Sequence, residues 1–538
     1  MGLGALLAMA LGCGGGGGGG GGPQDGGADA PSTADSAVPA DTTPTDTTTQ
    51  DTAPPRDAAP GDATGADGGA APPNISAALD CGRGGGGSGP GPNNANSLQR
   101  MEIDVRAFPD ALCNDGSPAV IYFRPYRGEA NRNRWLLNLR GGGGCGSGQA
   151  CAARWCGCGG AALCPSTPSY TYTNFDRGNM ISAGAASQAA TGIFHRGDPA
   201  RPNVLGDYNQ VRVVYCSSDG WSGTRRAVPL TAVHPVSGAP VAYSIHFLGG
   251  RILDAWLATL RQDGGRVPEY TLGATRASLP DLDEAEEVVL AGDSAGGNGV
   301  IENLDHVAEL LRGRNTRCAA GGACPLVVRG LMDAVVGPDK SRLTVSPTGL
   351  LTMLGITTYT QSAEATARGA DIVHGARHDT SCAAWHAANR PGTEALCSDN
   401  MHVVRHHVTT PFFVRMALRD SLIAGNYFEA GWVDPVLGPF DRMATVFPRV
   451  LQPELSAFPM LRASAEEGAQ VTTAPGVFAP LCTNHDTINE DSEVFGVTIT
   501  PTGGAAVRLL DAFDAWRRGA PGSAVLSDPR ANATVCPP

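Results

Sequence analysis

The sequence predicts an α/β protein built on a largely parallel sheet, and three observations point to it. Short apolar runs of strand length alternate with longer stretches whose apolar residues recur at helical spacing. No second linker interrupts the chain after about residue 77, so one large domain is expected over 77–538. A Gly-Asp-Ser-Ala-Gly run lies between a strand-like and a helix-like stretch.

Taken in order, "AVIYFRPY" (Ala119–Tyr126) and "WLLNL" (Trp135–Leu139) are predicted strands joined by a short polar turn. "QVRVVYC" (Gln210–Cys216) alternates apolar and polar residues as a strand does. "HFLGGRILDAWLATL" (His246–Leu260) places Phe247, Ile252, Leu253, Trp256, Leu257 and Leu260 at helical spacing. "EEVVLAG" (Glu286–Gly292) is a short buried strand, and "NGVIENLDHVAELL" (Asn298–Leu311) follows it as an amphipathic helix. "LVVRGLMD" (Leu326–Asp333) and "PFFVRMAL" (Pro411–Leu418) are two further strands, and Ala505–Arg518 is a closing helix.

Composition bounds the rest. Residues 1–13 hold a short apolar run ending in Ala10-Leu11-Gly12-Cys13, which resembles a bacterial lipoprotein cleavage site with Cys13 acylated. The run is too short to span a bilayer, which takes about 20 apolar residues. Residues 14–76 are glycines followed by Asp, Thr, Ala and Pro, too poor in large apolar side chains to order themselves, and read as a tether. The net charge of −13 and the absence of a basic stripe argue against nucleic acid. With Cys13 set aside, an even number of the 15 cysteines remains, which suits disulfides in an oxidising compartment. The cluster Cys145, Cys151, Cys156, Cys158, Cys164 has no C-x-x-C pair and no nearby His, so disulfides are preferred over zinc.

Gly292-Asp293-Ser294-Ala295-Gly296 fits G-x-S-x-G in the strand–helix setting of a nucleophile elbow, where small flanking residues let the turn pack and lift the serine. The alternative is a glycine-rich turn with an ordinary serine. A serine nucleophile needs a base oriented by an acid, in the chain order Ser, acid, His. Of the histidines after Ser294, His306 lies within the following helix, and His374, His378, His386, His402, His406 and His407 precede the last long apolar strand. His485, in a late polar loop, is where the base belongs, and Asp420, just past Phe412–Leu418, is where the acid belongs. A helix cap after a strand is the bland explanation of Asp420.

Five blocks together carry a resemblance: "VVYCSSDGWSG" (Val213–Gly223), "LAGDSAGGNGVIENLDHVAELL" (Leu290–Leu311), "VRGLMD" (Val328–Asp333), "PFFVRMALRD" (Pro411–Asp420) and "LCTNHD" (Leu481–Asp486). They resemble the pectin acetylesterase family, and its Notum branch more than the plant enzymes. The resemblance implies an α/β-hydrolase-like fold and a serine carboxylesterase with Ser294 as nucleophile, Asp420 as acid and His485 as base. Two departures bear on the substrate. The family's aromatics before Cys145 are replaced at Gly143–Gly144, and its aromatic segment after the strand has become "DAVVGPD" (Asp333–Asp339). Those aromatics help line the acyl pocket of Notum, so short acyl esters, such as O-acetyl groups on polysaccharide, are the expected substrate.

"RGGGGCG" satisfies G-x-G-x-x-G at Gly141, Gly143 and Gly146, yet the following twenty residues offer no Asp or Glu for a ribose. In a hydrolase such a loop supplies the second oxyanion amide. Gly142 or Gly143 is the expected donor, opposite the amide of Ala295. The expectation is an extracytoplasmic monomer, secreted or lipid-anchored, with no cofactor and no metal. The alternatives are a surface-anchored binding protein that retains the scaffold, and a longer-chain esterase or thioesterase.

Overall fold

The computed structural model describes residues 71–81, 97–158, 177–265, 269–272, 275–318, 323–337, 369–420, 422–423, 455, 475–485, 487–520, 525–526 and 533–536. The segment with Cys13, most of the expected tether, Cys164, Pro338 and Asp339 lie outside them. The chain divides into two compact units, Met1–Gly68 and Gly69–Pro538, and every described residue belongs to the second.

A long sheet organises that unit. Its strands are β1 (Ser97–Glu102), β2 (Val120–Arg124), β3 (Arg134–Leu139), β4 (Ser187–Ala189) and β5 (Asn209–Val213). A hairpin outside the sheet pairs β6 (Arg225–Val233) with β7 (Pro240–Phe247), and a second pairs β8 (Glu269–Leu272) with β9 (Thr275–Ser278). β10 (Glu287–Asp293), β11 (Val327–Asp333), β12 (Phe412–Arg415) and β13 (Gly476–Phe478) return to the sheet. A small sheet combines β14 (Thr498–Thr500), β15 (Val507–Arg508) and, later in the chain, β17 (Ala533–Val535), and β16 (Val525–Leu526) closes the main sheet. The main sheet runs β16-β13-β12-β11-β10-β3-β5-β2-β1-β4 among the described residues. It is parallel from β16 to β5 and antiparallel beyond.

The helices are α1 (Ile75–Ala78), α2 (Gly148–Trp155), α3 (Gly249–Leu260), α4 (Ala295–Arg314), α5 (Thr380–Asn389), α6 (Asn400–His406), α7 (Asp491–Gly496) and α8 (Leu509–Arg517). They cover both faces of the sheet. Val288 and Leu290 of β10 pack with α3 and α4, while Val289 and Ala291 pack with Phe513 and Trp516 of α8. That alternation explains why the central strands read as unbroken apolar runs, each face having a helix to bury against. Burying side chains such as Leu290 or Phe413 is worth about 1.5–3 kcal/mol each.

Element ends differ from the sequence reading for local reasons. His246 and Phe247 finish β7, and the helix opens only at Gly249. Asp219 sets that start, because its Oδ2 accepts the Gly249 amide at 2.7 Å. The closing helix begins at Leu509, since Val507 and Arg508 pair with Ile499 and Thr498. The hairpin β6–β7 and the helices α2, α5 and α6 were not anticipated. Residues at the end of the expected tether dock on β7: Ser244 donates to the Pro73 carbonyl at 2.8 Å, and Ile75 is fully buried.

Six disulfides join described cysteines: Cys81–Cys156, Cys113–Cys216, Cys145–Cys151, Cys318–Cys324, Cys382–Cys397 and Cys482–Cys536. Cys158 is disulfide-bonded as well, so the four described members of the cysteine cluster offer no thiolate to a metal. Among the described residues, no helix is long and apolar enough to cross a membrane.

Candidate active site

Ser294 stands in the turn between β10 and α4 with φ 53° and ψ −120°, a conformation a side-chain-bearing residue adopts only when its surroundings enforce it. The enforcement comes from the glycines two residues either side. A Cβ on Gly292 would overlap the Gly296 backbone, and one on Gly296 would overlap the Leu139 carbonyl at the end of β3. The Ser294 amide donates to the Asp333 carbonyl at 2.9 Å, tying the elbow to the end of β11.

Register places the site at one edge of the sheet. Asp293, Asp333, Arg415 and Phe478 are the successive strand-end partners across β10, β11, β12 and β13. Asp420 and His485 follow the last two of these strands. Nδ1 of His485 lies 2.7 Å from Oδ2 of Asp420, which is fully buried. The other carboxylate oxygen accepts the amides of Leu422 and Ile423, both at 3.0 Å. Asp420 is therefore a turn cap and the histidine's partner together, one oxygen for each.

Two further aspartates position this edge. Asp333, fully buried, accepts Arg415 Nη1 at 3.1 Å and the amides of Thr487 and Ile488 at 2.8 and 2.9 Å. It so holds the loop that carries His485. Asp293 takes the Gly141 amide on Oδ2 at 3.1 Å and Asn489 Nδ2 on Oδ1 at 2.7 Å. The residue before the serine thus links the glycine loop to the histidine loop. Nothing in the motif marked it, because its partners lie 152 and 196 positions away.

In the glycine loop, Gly142 has φ +148° and Gly143 φ +67°, backbone that strongly favours glycine. The Gly142 carbonyl accepts Nη2 of the buried Arg154 at 2.5 Å, which fixes the orientation of the peptide that ends in the Gly143 amide. Ala295 is the first residue of α4, so its amide has no acceptor within the helix. The amides of Gly142, Gly143 and Ala295 make no hydrogen bond among the described residues. A helix opens after the glycines, at Gly148. It supports the loop through Arg154 and the Cys145–Cys151 bridge. Gly144 abuts the Ser218 carbonyl, which an added Cβ would meet at 2.9 Å.

The remaining histidines are otherwise engaged. His306 faces Asp254 at 3.4 Å, His374 bonds the Cys145 carbonyl at 2.8 Å, and His378 pairs with Glu302 at 3.6 Å and Asp371 at 3.7 Å. Asp219, in the block around Trp221, is held by Ser217 Oγ and two amides, and burial raises its pKa. Its place is under α3, as a cap.

A strained serine elbow at the carboxyl edge of a parallel sheet, with an Asp–His pair following the next strands, is the architecture of the α/β-hydrolase class. Residues 94–324 match the family model described as pectinacetylesterase. The chain is 28% identical over 242 residues to palmitoleoyl-protein carboxylesterase notum1a of Danio rerio, covering 44% of this chain and 37% of that one. It is 31% identical over 243 residues to notum1' of Xenopus laevis, covering 44% and 38%. The structure of the Wnt deacylase Notum from Drosophila aligns with TM-score 0.52 and 21% identity, over 79% of this chain and 93% of that one. Over these spans the chain is similar to pectinacetylesterases and to the Notum carboxylesterases, and it shares their fold. The sequence alignments span under two fifths of these curated relatives, and the family match holds Gly142, Gly143, Ser294 and Ala295 but ends before Asp420 and His485.

Proposed function

We propose that the protein is an extracytoplasmic serine carboxylesterase. The observation that carries it is the 2.7 Å Asp420–His485 pair on the sheet edge that presents Ser294 in a strained elbow. Asp420 fixes the imidazole with Nδ1–H donating, which leaves the Nε2 lone pair to take the serine proton. Ser294 Oγ attacks the ester carbonyl, and His485 returns the proton to the departing alcohol. Water, deprotonated by the same histidine, releases the acid and restores the serine. The amides of Ala295 and of Gly142 or Gly143 receive the oxyanion, each such donor being worth roughly 10²–10³ in rate.

Short acyl esters are the favoured substrates, with O-acetyl groups on polysaccharide as the natural class. The relatives' names refer to a palmitoleoyl-protein substrate. Here the position of a family aromatic is Gly144, packed on the Ser218 backbone, so this position itself brings no ring to lay against a long chain. The disulfides fit an oxidising compartment, and a lipid anchor at Cys13 would hold the enzyme at a cell surface.

Ser294→Ala is expected to abolish hydrolysis of p-nitrophenyl acetate and labelling by a fluorophosphonate while the circular dichroism is unchanged. Undiminished turnover would refute the assignment. A wild-type chain that is folded yet inert to the fluorophosphonate would indicate a binding protein on a hydrolase scaffold. Esters of increasing chain length test the acyl preference, and a rising kcat/KM toward long chains would overturn it.

A further inference from the structure

Away from the proposed triad, α5, α6 and the residue that ends α6 bring three imidazoles together. The ring centroids of His386, His402 and His407 form a triangle with sides of 5.1, 5.3 and 5.6 Å. His386 is fully buried and His407 is 2% exposed. Nε2 of His386 and Nε2 of His402 are 3.0 Å apart. One donor atom from each of the three histidines and from Cys382 lies within 4.8 Å of the others.

The tautomer of His386 follows from its neighbours. Its Nδ1 lies 2.7 Å from Thr393 Oγ1, whose hydroxyl donates to the Arg390 carbonyl at 2.6 Å. With that proton committed, Thr393 accepts, Nδ1 carries the hydrogen, and the lone pair of Nε2 points at His402. A hydroxyl or carbonyl fixing the far nitrogen is the support that metal-binding imidazoles receive. The cluster is rigidly mounted. The Cys382–Cys397 bridge ties α5 to the turn before α6, and Asp399 caps α6 by accepting the amides of Met401 and His402.

We propose that His386, His402 and His407 bind one divalent ion of the zinc class. Neutral imidazole suits such ions. At Zn–N bonds of about 2.0–2.1 Å, two nitrogens of a tetrahedral ion stand about 3.4 Å apart, close to the separation already present between His386 and His402. Cys382 is held in its disulfide and offers no thiolate, so water completes the shell. The ion is structural. His407 stands three residues ahead of Thr410, where the chain turns into β12, whereas Ser294, Asp420 and His485 follow strands at the opposite edge.

The bland competitor is a plain hydrogen bond from His402 to His386. Full-length protein is stripped with chelator, loaded with Zn2+ or Co2+, dialysed and assayed for metal. About one ion per chain is expected, with the visible spectrum of four-coordinate Co2+, an X-ray absorption shell of about three imidazoles and a raised Tm. His402→Gln is expected to lose the ion while keeping esterase activity. No retained metal, a shell with fewer than two imidazoles, or undiminished binding in the variant overturns the proposal. The wild-type absorption shell decides by itself if His402→Gln does not fold.

Discussion

Asp293 sits in the variable second position of G-x-S-x-G, where the motif asks for nothing, and yet it joins two loops on either side of Ser294. Its role is positional, since its oxygens are both engaged with Gly141 and Asn489. Asp293→Ala is expected to lower kcat by about 10²-fold with a smaller change in KM, because misplacement of about 1 Å near the reacting atoms costs that much. Rates measured for short esters check it, and a variant as fast as wild type would refute the tether. Asp333 is the counterpart for the histidine loop, and its charge is balanced by Arg415 at 3.1 Å. Chain order made Ser294, Asp420 and His485 the candidates in the sequence, because the α/β-hydrolase scaffold, not the reaction, sets which strand ends carry nucleophile, acid and base. The two tethers were illegible, since an aspartate's partners more than 150 positions away leave no local pattern.

At the scale of elements, β10, its turn and α4 form one contiguous stretch whose apolar period changes from strand to helix at Ser294, which made it readable. The β6–β7 hairpin, by contrast, has an exposed outer face and lies outside the main sheet, so its pattern is weak. The packing of α4 against the segment before α5 carries a pH response. Burial alone would lower the pKa of His378, but the Glu302 carboxylate 3.6 Å away, with the charge of Asp371, raises it above the ordinary value of 6.5. Stability from this protonated histidine is complete below the unfolded value and is lost as pH rises through the raised folded value. The Tm is therefore expected to decline as pH rises past about 6.5. His378→Gln is expected to flatten that decline, as scanning calorimetry across the range can show. An equally steep fall in the variant would assign the response elsewhere.

For the whole molecule, the unit from Gly69 onward contains every element described, including the docking of residues 73–79 on β7. Deleting residues 1–68 is expected to leave the Tm and the rate with soluble esters unchanged, and a drop in either would show that the leading segment supports the fold. The disulfides close the molecule at several depths, from the Cys113–Cys216 bridge by the core to Cys482–Cys536, which joins the loop before His485 to the chain's last described residue. Asp293 and Asp333 add internal ties among the elbow, the glycine loop and the histidine loop. Three loops tied this way lose their freedom when the chain folds, not when an ester arrives. The entropy of ordering the site is settled in advance, so affinity for a small acyl group need not be drained by loop closure.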